Sequence, residues 1–242
     1  MPRATAAPGE SSPSPAHRVW DVSGTARTLY AVATLGLTTL LALAAWSSAS
    51  AGEVLYRAVV PHTTDLPMIG ALADAAILGL LVGYGVVLWR SRRTVRALAL
   101  GLAAGAGAMV GYVVSESVKL LVMEERPCRV VLPLEECPAV GDWSFPSNHM
   151  AIAAGLALAI WVLAPRSYRW GAALVVAVAV GRVGQGAHYP HDVLAGAVLG
   201  LGVVAVTVLA GAPAIAGLLT RMDGRRALLT PGPRPKHDDR LR

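Results

Sequence analysis

Apolar and polar residues alternate along this chain in long blocks rather than in single-residue steps. Six apolar stretches, roughly 28–46, 67–89, 97–122, 149–164, 171–187 and 193–219, are separated by polar segments rich in charge and proline. Runs near twenty residues with short charged breaks are the pattern of helices that cross a bilayer. Helix starts are written into the breaks. Asp65-Leu66-Pro67 places a cap and an early proline before the second stretch, Pro146-Ser147-Asn148-His149 opens the fourth, and Pro190 suits the first turn of the sixth. Glycines at 101, 105, 107 and 111, and again at 196 and 200, have the small-xxx-small spacing that lets helices approach closely in lipid.

The flanks read differently. Residues 1–27 are rich in Pro, Ser, Ala and Thr without periodicity and predict a disordered tail, and the basic, proline-containing stretch 221–242 predicts another. Residues 47–66 read as a connecting loop; Ala49-Ser50-Ala51 within it resembles a signal-peptidase site, while the long polar lead favours an uncleaved first helix. The expected fold is an all-α integral membrane protein, one six-transmembrane-helix bundle over 28–220.

Composition agrees. Of the 242 residues 55% are hydrophobic and only 15% charged, with a mean hydropathy of +0.54, against about 25% charged in soluble domains. A net charge of +6 would suit nucleic acid, but the distribution of the cations displaces that reading. One alternating set of loops and tails holds 16 of the 21 Lys and Arg: three before residue 28, four in 90–96, two in 165–170 and seven after 220. By the positive-inside rule both termini are cytoplasmic, in a multi-pass protein of the cell membrane. The other side holds five, Arg57, Lys119, Arg126, Arg129 and Arg182.

That sparse outer side also collects the chemistry. Lys119 and Arg126 end the third stretch, seven residues apart, about 10 Å along a helix, with Pro127 stopping the helix at Arg126. They can close on one anion, although Glu116 offers Lys119 a structural pair instead. Ser147 and Asn148 stand where first-turn N–H groups favour phosphate, and Ser147 also suits an ordinary cap. His149 follows, placed to protonate a leaving oxygen. Arg182 ends the fifth stretch, and His188 and Asp192 begin the sixth at a spacing that lets the carboxylate meet the imidazole. Asp74, inside the second stretch, is expected to partner a hydroxyl or amide rather than to act in chemistry.

Three cations, a helix-start anion site and two histidines describe phosphoryl transfer without a metal. His188 would attack phosphorus, His149 would protonate the leaving group, and Lys119, Arg126 and Arg182 would neutralise the phosphoryl oxygens. No carboxylate cluster or His/Cys set suggests a bound metal, and no cofactor is expected. Cys128 and Cys137, in the same outer loop, are expected to form a disulfide.

Lys119-x6-Arg126-Pro127, Pro146-Ser147-Asn148-His149 and Arg182-x5-His188-x3-Asp192 together resemble the three-part signature of the type 2 phosphatidic acid phosphatase (PAP2) family, membrane lipid phosphatases that share their site with vanadium haloperoxidases. The match is ordered and covers about 75 residues. It implies six helices and the same roles, residue for residue. Asn148 stands where the family usually has glycine and Gly181 where it has serine; a tighter pocket and one weaker support for the phosphate or Arg182 are expected. The function expected is hydrolysis of a lipid phosphate or diphosphate, such as an isoprenyl diphosphate or phosphatidic acid, at the extracytoplasmic face. The bilayer is the medium and nucleic acid no partner; the oligomeric state stays open. Phosphotransfer to another acceptor, or a non-catalytic lipid-binding or transport protein, are the alternatives.

Overall fold

The computed structural model describes residues 19–66 and 68–229, with side chains as far as Met222. The tails expected over 1–18 and 230–242 lie outside the described residues. Helix α1 spans Gly24–Ser47, α2 Ala49–Val59, α3 Ile69–Ser91, α4 Val95–Val122, α5 Pro127–Val130, α6 Asn148–Leu163, α7 Tyr168–Gly184 and α8 Pro190–Leu229. Six of these match the six apolar stretches. The ends differ from the sequence reading: α1 starts four residues earlier, capped by Ser23, and α8 runs on to Leu229. The stretches 24–27 and 221–229, assigned above to disordered tails, are therefore helical.

Length separates the helices into two groups. The stretches Gly24–Ser47, Ile69–Ser91, Val95–Val130 and Pro190–Met222 are long and apolar enough to cross a membrane. Helices α6 and α7 have 16 and 17 residues, about 24–26 Å of helix, short of a hydrocarbon core about 30 Å thick. The six-span expectation is met by four helices on this criterion.

Helix α6 is apolar on all faces and therefore belongs inside. It packs against α3, α4, α7 and α8, burying Met150, Ala153, Leu156, Ala159 and Ile160. The outer faces carry Leu29, Leu35, Leu40, Leu43, Leu78 and Leu81 exposed, as a lipid-facing surface requires. Small residues bring α8 onto the start of α6: a Cβ on Gly196 or Gly200 would run into the carbonyl of Ser147 or Ala151. This close approach joins the fourth and sixth stretches where their chemistry lies.

Residues 49–59 are helical, not a loop. Gly52 and Tyr56 point inward and Val60 follows at the same interval, all buried, while Glu53 and Arg57 pair on the outer face. The Tyr56 hydroxyl donates to the Gly186 carbonyl at 3.1 Å, which pins α2 over the loop between α7 and α8.

Candidate active site

The ends of α4, α6, α7 and α8 converge at one end of the bundle, as the alternating topology requires. Helix α4 stops at Val122 because Met123 turns left-handed (φ 50°), one turn before the expected end. Arg126 is extended (φ −69°, ψ 140°) ahead of Pro127, the conformation a following proline imposes. The turn carries the guanidinium back to Lys119. Both cations are buried and both reach Asp142 Oδ1, Lys119 at 3.1 Å and Arg126 at 2.9 Å. The expected anion between them is thus present as a side chain of the protein. Partial burial raises the Asp142 carboxyl, but the Arg126 and Lys119 charges outweigh it and hold the group below its ordinary range. Glu116 also lies 3.4 Å from Lys119, so the structural pair forms beside the other.

Arg126 organises the centre of the site. Its Nε donates to the Asp142 carbonyl at 2.8 Å and its Nη1 to the Ala187 carbonyl at 2.9 Å. The same Nη1 lies 3.2 Å from His188 Nε2. A guanidinium only donates, so Nε2 presents its lone pair and Nδ1 carries the proton. That proton faces Asp192 Oδ2 at 3.3 Å. The predicted His188–Asp192 pair is therefore formed, in the tautomer a nucleophile needs.

Asp192 is fully buried, a costly place for a carboxylate unless donors surround it. Its Oδ2 accepts from the Tyr189 backbone N–H at 2.8 Å and from the Ser144 hydroxyl at 2.5 Å. Burial pushes the His188 imidazole down from its ordinary value, and Asp192 only partly opposes this. The neutral imidazole therefore persists to lower pH than an exposed histidine would allow. The acid limb of kcat/KM should accordingly lie below pH ~6.5; a limb at or above that value would contradict the assigned environment.

Ser147 occupies the N-cap position of α6 without capping it. Its N–H donates to the Asp192 carbonyl at 3.0 Å, and its buried hydroxyl has no partner among the described residues. The same holds for Arg182 Nε. His149 follows Asn148 in the first turn of α6, at the same end of the bundle.

Three expectations change. Asp74 does not meet a hydroxyl or amide: its carboxylate accepts from Arg182 Nη2 at 2.8 Å while remaining 70% exposed. It reaches that cation because α3 and α7 pack side by side. Asn148 does not tighten the pocket with its side chain, which is tied back to α4; the Ser115 hydroxyl donates to its Oδ1 at 2.6 Å and its amide donates to Glu116. Gly181 is glycine for a packing reason, since a Cβ there would sit 2.7 Å from Ala73 Cβ and 2.9 Å from Ala73 N. Arg182 is instead supported by Asp74. Gly181→Ser should destabilise the fold by about 1–3 kcal/mol through overpacking, read as a lowered Tm in detergent; an unchanged Tm would show that α3 yields.

Several participants had no distinguishing signal in sequence. Asp142 and Ser144 are two polar residues among many in the 123–147 loop, and Glu124 is another. His191 stood in the motif without a role. Ligand atoms of Glu124, His191 and Asp192 lie within 4.8 Å of one another, a grouping hidden by the sequence separation of 67 from Glu124 to His191. Cys128 and Cys137 are bonded, with Cα atoms 5.7 Å apart, and so brace the loop that carries Arg126 and Asp142. Closing so short a ring stabilises it by about 2–3 kcal/mol in the chain-entropy account.

The family model described as the PAP2 superfamily matches residues 96–215. The chain belongs to the PAP2 superfamily. The matched segment runs from the start of α4 into α8 and contains every site residue named above except Asp74. A crystal structure described as the first transmembrane PAP2-type phosphatidylglycerolphosphate phosphatase, from Bacillus subtilis, is similar over 81% of this chain and 96% of that one, at 23% identity and a TM-score of 0.48. No curated protein matches. PAP2 membership and the apolar helices support a multi-pass membrane phosphatase acting on a lipid phosphate.

Proposed function

We propose that this PAP2 protein hydrolyses a membrane lipid phosphate or diphosphate through a phosphohistidine on His188, without a metal. The observation that carries the reading is the His188 imidazole itself: buried, its Nδ1 on Asp192, its Nε2 lone pair turned to Arg126. Nε2 attacks phosphorus and the ester P–O bond breaks as His149 gives its proton to the leaving oxygen. Water, deprotonated by His149, then attacks the phosphohistidine, the P–N bond breaks and inorganic phosphate leaves. Lys119, Arg126 and Arg182 neutralise the phosphoryl oxygens, with the Ser147 hydroxyl and the first-turn N–H groups of α6 as further donors. Arriving phosphate takes the place of Asp142 between Lys119 and Arg126.

A lipid rather than a soluble ester is favoured by a groove of about 370 Å³ between α1, α4 and α8. Leu35, Ala42, Trp46, Val118 and Phe145 line it, and Phe145 lies two residues before Ser147. The six helices span the membrane, the short α6 being shielded by its neighbours. Both termini are cytoplasmic and the site faces outward, because the basic loops 90–96 and 165–170 lie at the opposite end of the bundle.

The test is phosphate release by purified protein in detergent with EDTA. The panel holds an isoprenyl diphosphate, phosphatidic acid and phosphatidylglycerol phosphate. Release that survives EDTA supports the reading and ranks the substrates. Release abolished by EDTA refutes metal independence, and phosphorylated acceptor without free phosphate would replace hydrolysis by phosphotransfer.

A further inference from the structure

Asp192 is held unevenly. Its Oδ2 takes the His188, Tyr189 and Ser144 donors, while its Oδ1 is buried and makes no hydrogen bond among the described residues. The polar group facing Oδ1 is His191 Nε2, at 3.4 Å. The same Nε2 lies 3.1 and 3.2 Å from the two Glu124 carboxylate oxygens. Ionised carboxylates only accept, so this nitrogen carries the proton, which bonds Glu124 and faces Asp192 Oδ1. His191 Nδ1 is buried without a partner among the described residues and faces the backbone of Gly52. A bare lone pair is tolerable there, whereas a second N–H would be a buried donor left unmade. The Nε2 proton of the ring is thus pointed between Glu124 and Asp192.

The rest of the surroundings hold that ring in place. It is 1% exposed and stacks with Tyr189 at 5.1 Å and Phe145 at 6.0 Å between ring centres. Gly52 of α2 leaves room for it, since a Cβ there would collide with Nδ1. Glu124 also accepts the Ser144 N–H on its backbone carbonyl at 2.8 Å. One loop residue therefore fixes both Ser144, on one oxygen of Asp192, and His191, facing the other.

We propose that His191, held by Glu124 and seated against Gly52, is a positioning residue that sets the orientation of Asp192 and through it the His188 imidazole. The proposal rests on the phosphatase reading given above. His191 does not contact the phosphate site, so it acts on turnover and not on substrate binding.

The test is a double-mutant cycle on phosphate release, using whichever lipid of the panel is hydrolysed fastest. His191→Phe keeps the ring stack and removes the N–H. It should lower kcat by about ten- to thirtyfold with KM unchanged. In the Asp192→Asn background the same change should cost less than about twofold, because the carboxylate it orients is gone. Gly52→Ala, which presses a methyl on Nδ1 and leaves every titratable group in place, should show the same coupling and serves if His191→Phe does not fold. Wild-type kcat in these variants, a raised KM at constant kcat, or losses that simply add to that of Asp192→Asn would overturn the proposal. His188→Ala run alongside separates the failures. If it retains full release, the phosphatase reading falls too; if it is dead while the His191 variants are normal, only the positioning role falls.

Discussion

His188→Ala is expected to reduce phosphate release by at least a thousandfold, the scale on which removing a nucleophile acts. The loss should fall on kcat, because the three cations and the Ser147 hydroxyl proposed to meet the phosphate remain. The bundle should survive. Asp192 keeps its Ser144 and Tyr189 donors, and Arg126 keeps its bonds to Asp142 and to the Ala187 carbonyl. The variant should therefore elute as a folded protein in detergent and still bind lipid phosphate. The decisive readout is an acid-labile, alkali-stable phosphoenzyme trapped from wild type by rapid denaturation at alkaline pH and absent from His188→Ala. Wild-type turnover in the variant would remove His188 from the mechanism.

Arg126→Lys is expected to lower kcat/KM by about 10²- to 10³-fold, although it keeps the charge. The guanidinium makes directed bonds through three nitrogens: Nε to the Asp142 carbonyl, Nη2 to the Asp142 carboxylate, and Nη1 to Ala187 and His188. A lysine ammonium is a single point on a flexible stem and cannot occupy these positions together. It would leave the Ala187 or Asp142 carbonyl without its donor and would no longer enforce the lone pair on His188 Nε2. Both constants should suffer, KM through the phosphate oxygens and kcat through the tautomer. A loss confined to KM would show that Arg126 binds phosphate but does not orient His188.

The two variants differ in what sequence could say about them. His188 and Asp192 are four residues apart beside a proline suited to a helix start, so their meeting follows from local geometry and was legible. The helix segments were legible for a similar reason. Long apolar blocks must be buried in lipid or in one another, and lipid leaves the backbone no hydrogen-bonding partner but itself. Residues 49–59 were missed because Gly52, Tyr56 and Val60 make only a narrow inward face, on a helix that does not cross the bilayer.

By itself the sequence determined the all-helical membrane class, the order of the elements and the set of charged and nucleophilic residues at one end of the bundle. Those depend on composition and on spacings within a turn or two. Only the tertiary structure decided which carboxylate meets which cation or imidazole: Asp142 between Lys119 and Arg126, Asp74 on Arg182, and Glu124 and Asp192 on the His191 ring. Each of those contacts joins residues brought together by helix packing or by the path of the 123–147 loop, apart from the adjacent His191 and Asp192. For that adjacent pair the angle of the rings and carboxylates, not the spacing, makes the contact. Charge pairing in a buried site is set by distances of 3–4 Å in space, and nothing in the order of residues along a chain encodes such distances until the helices have packed.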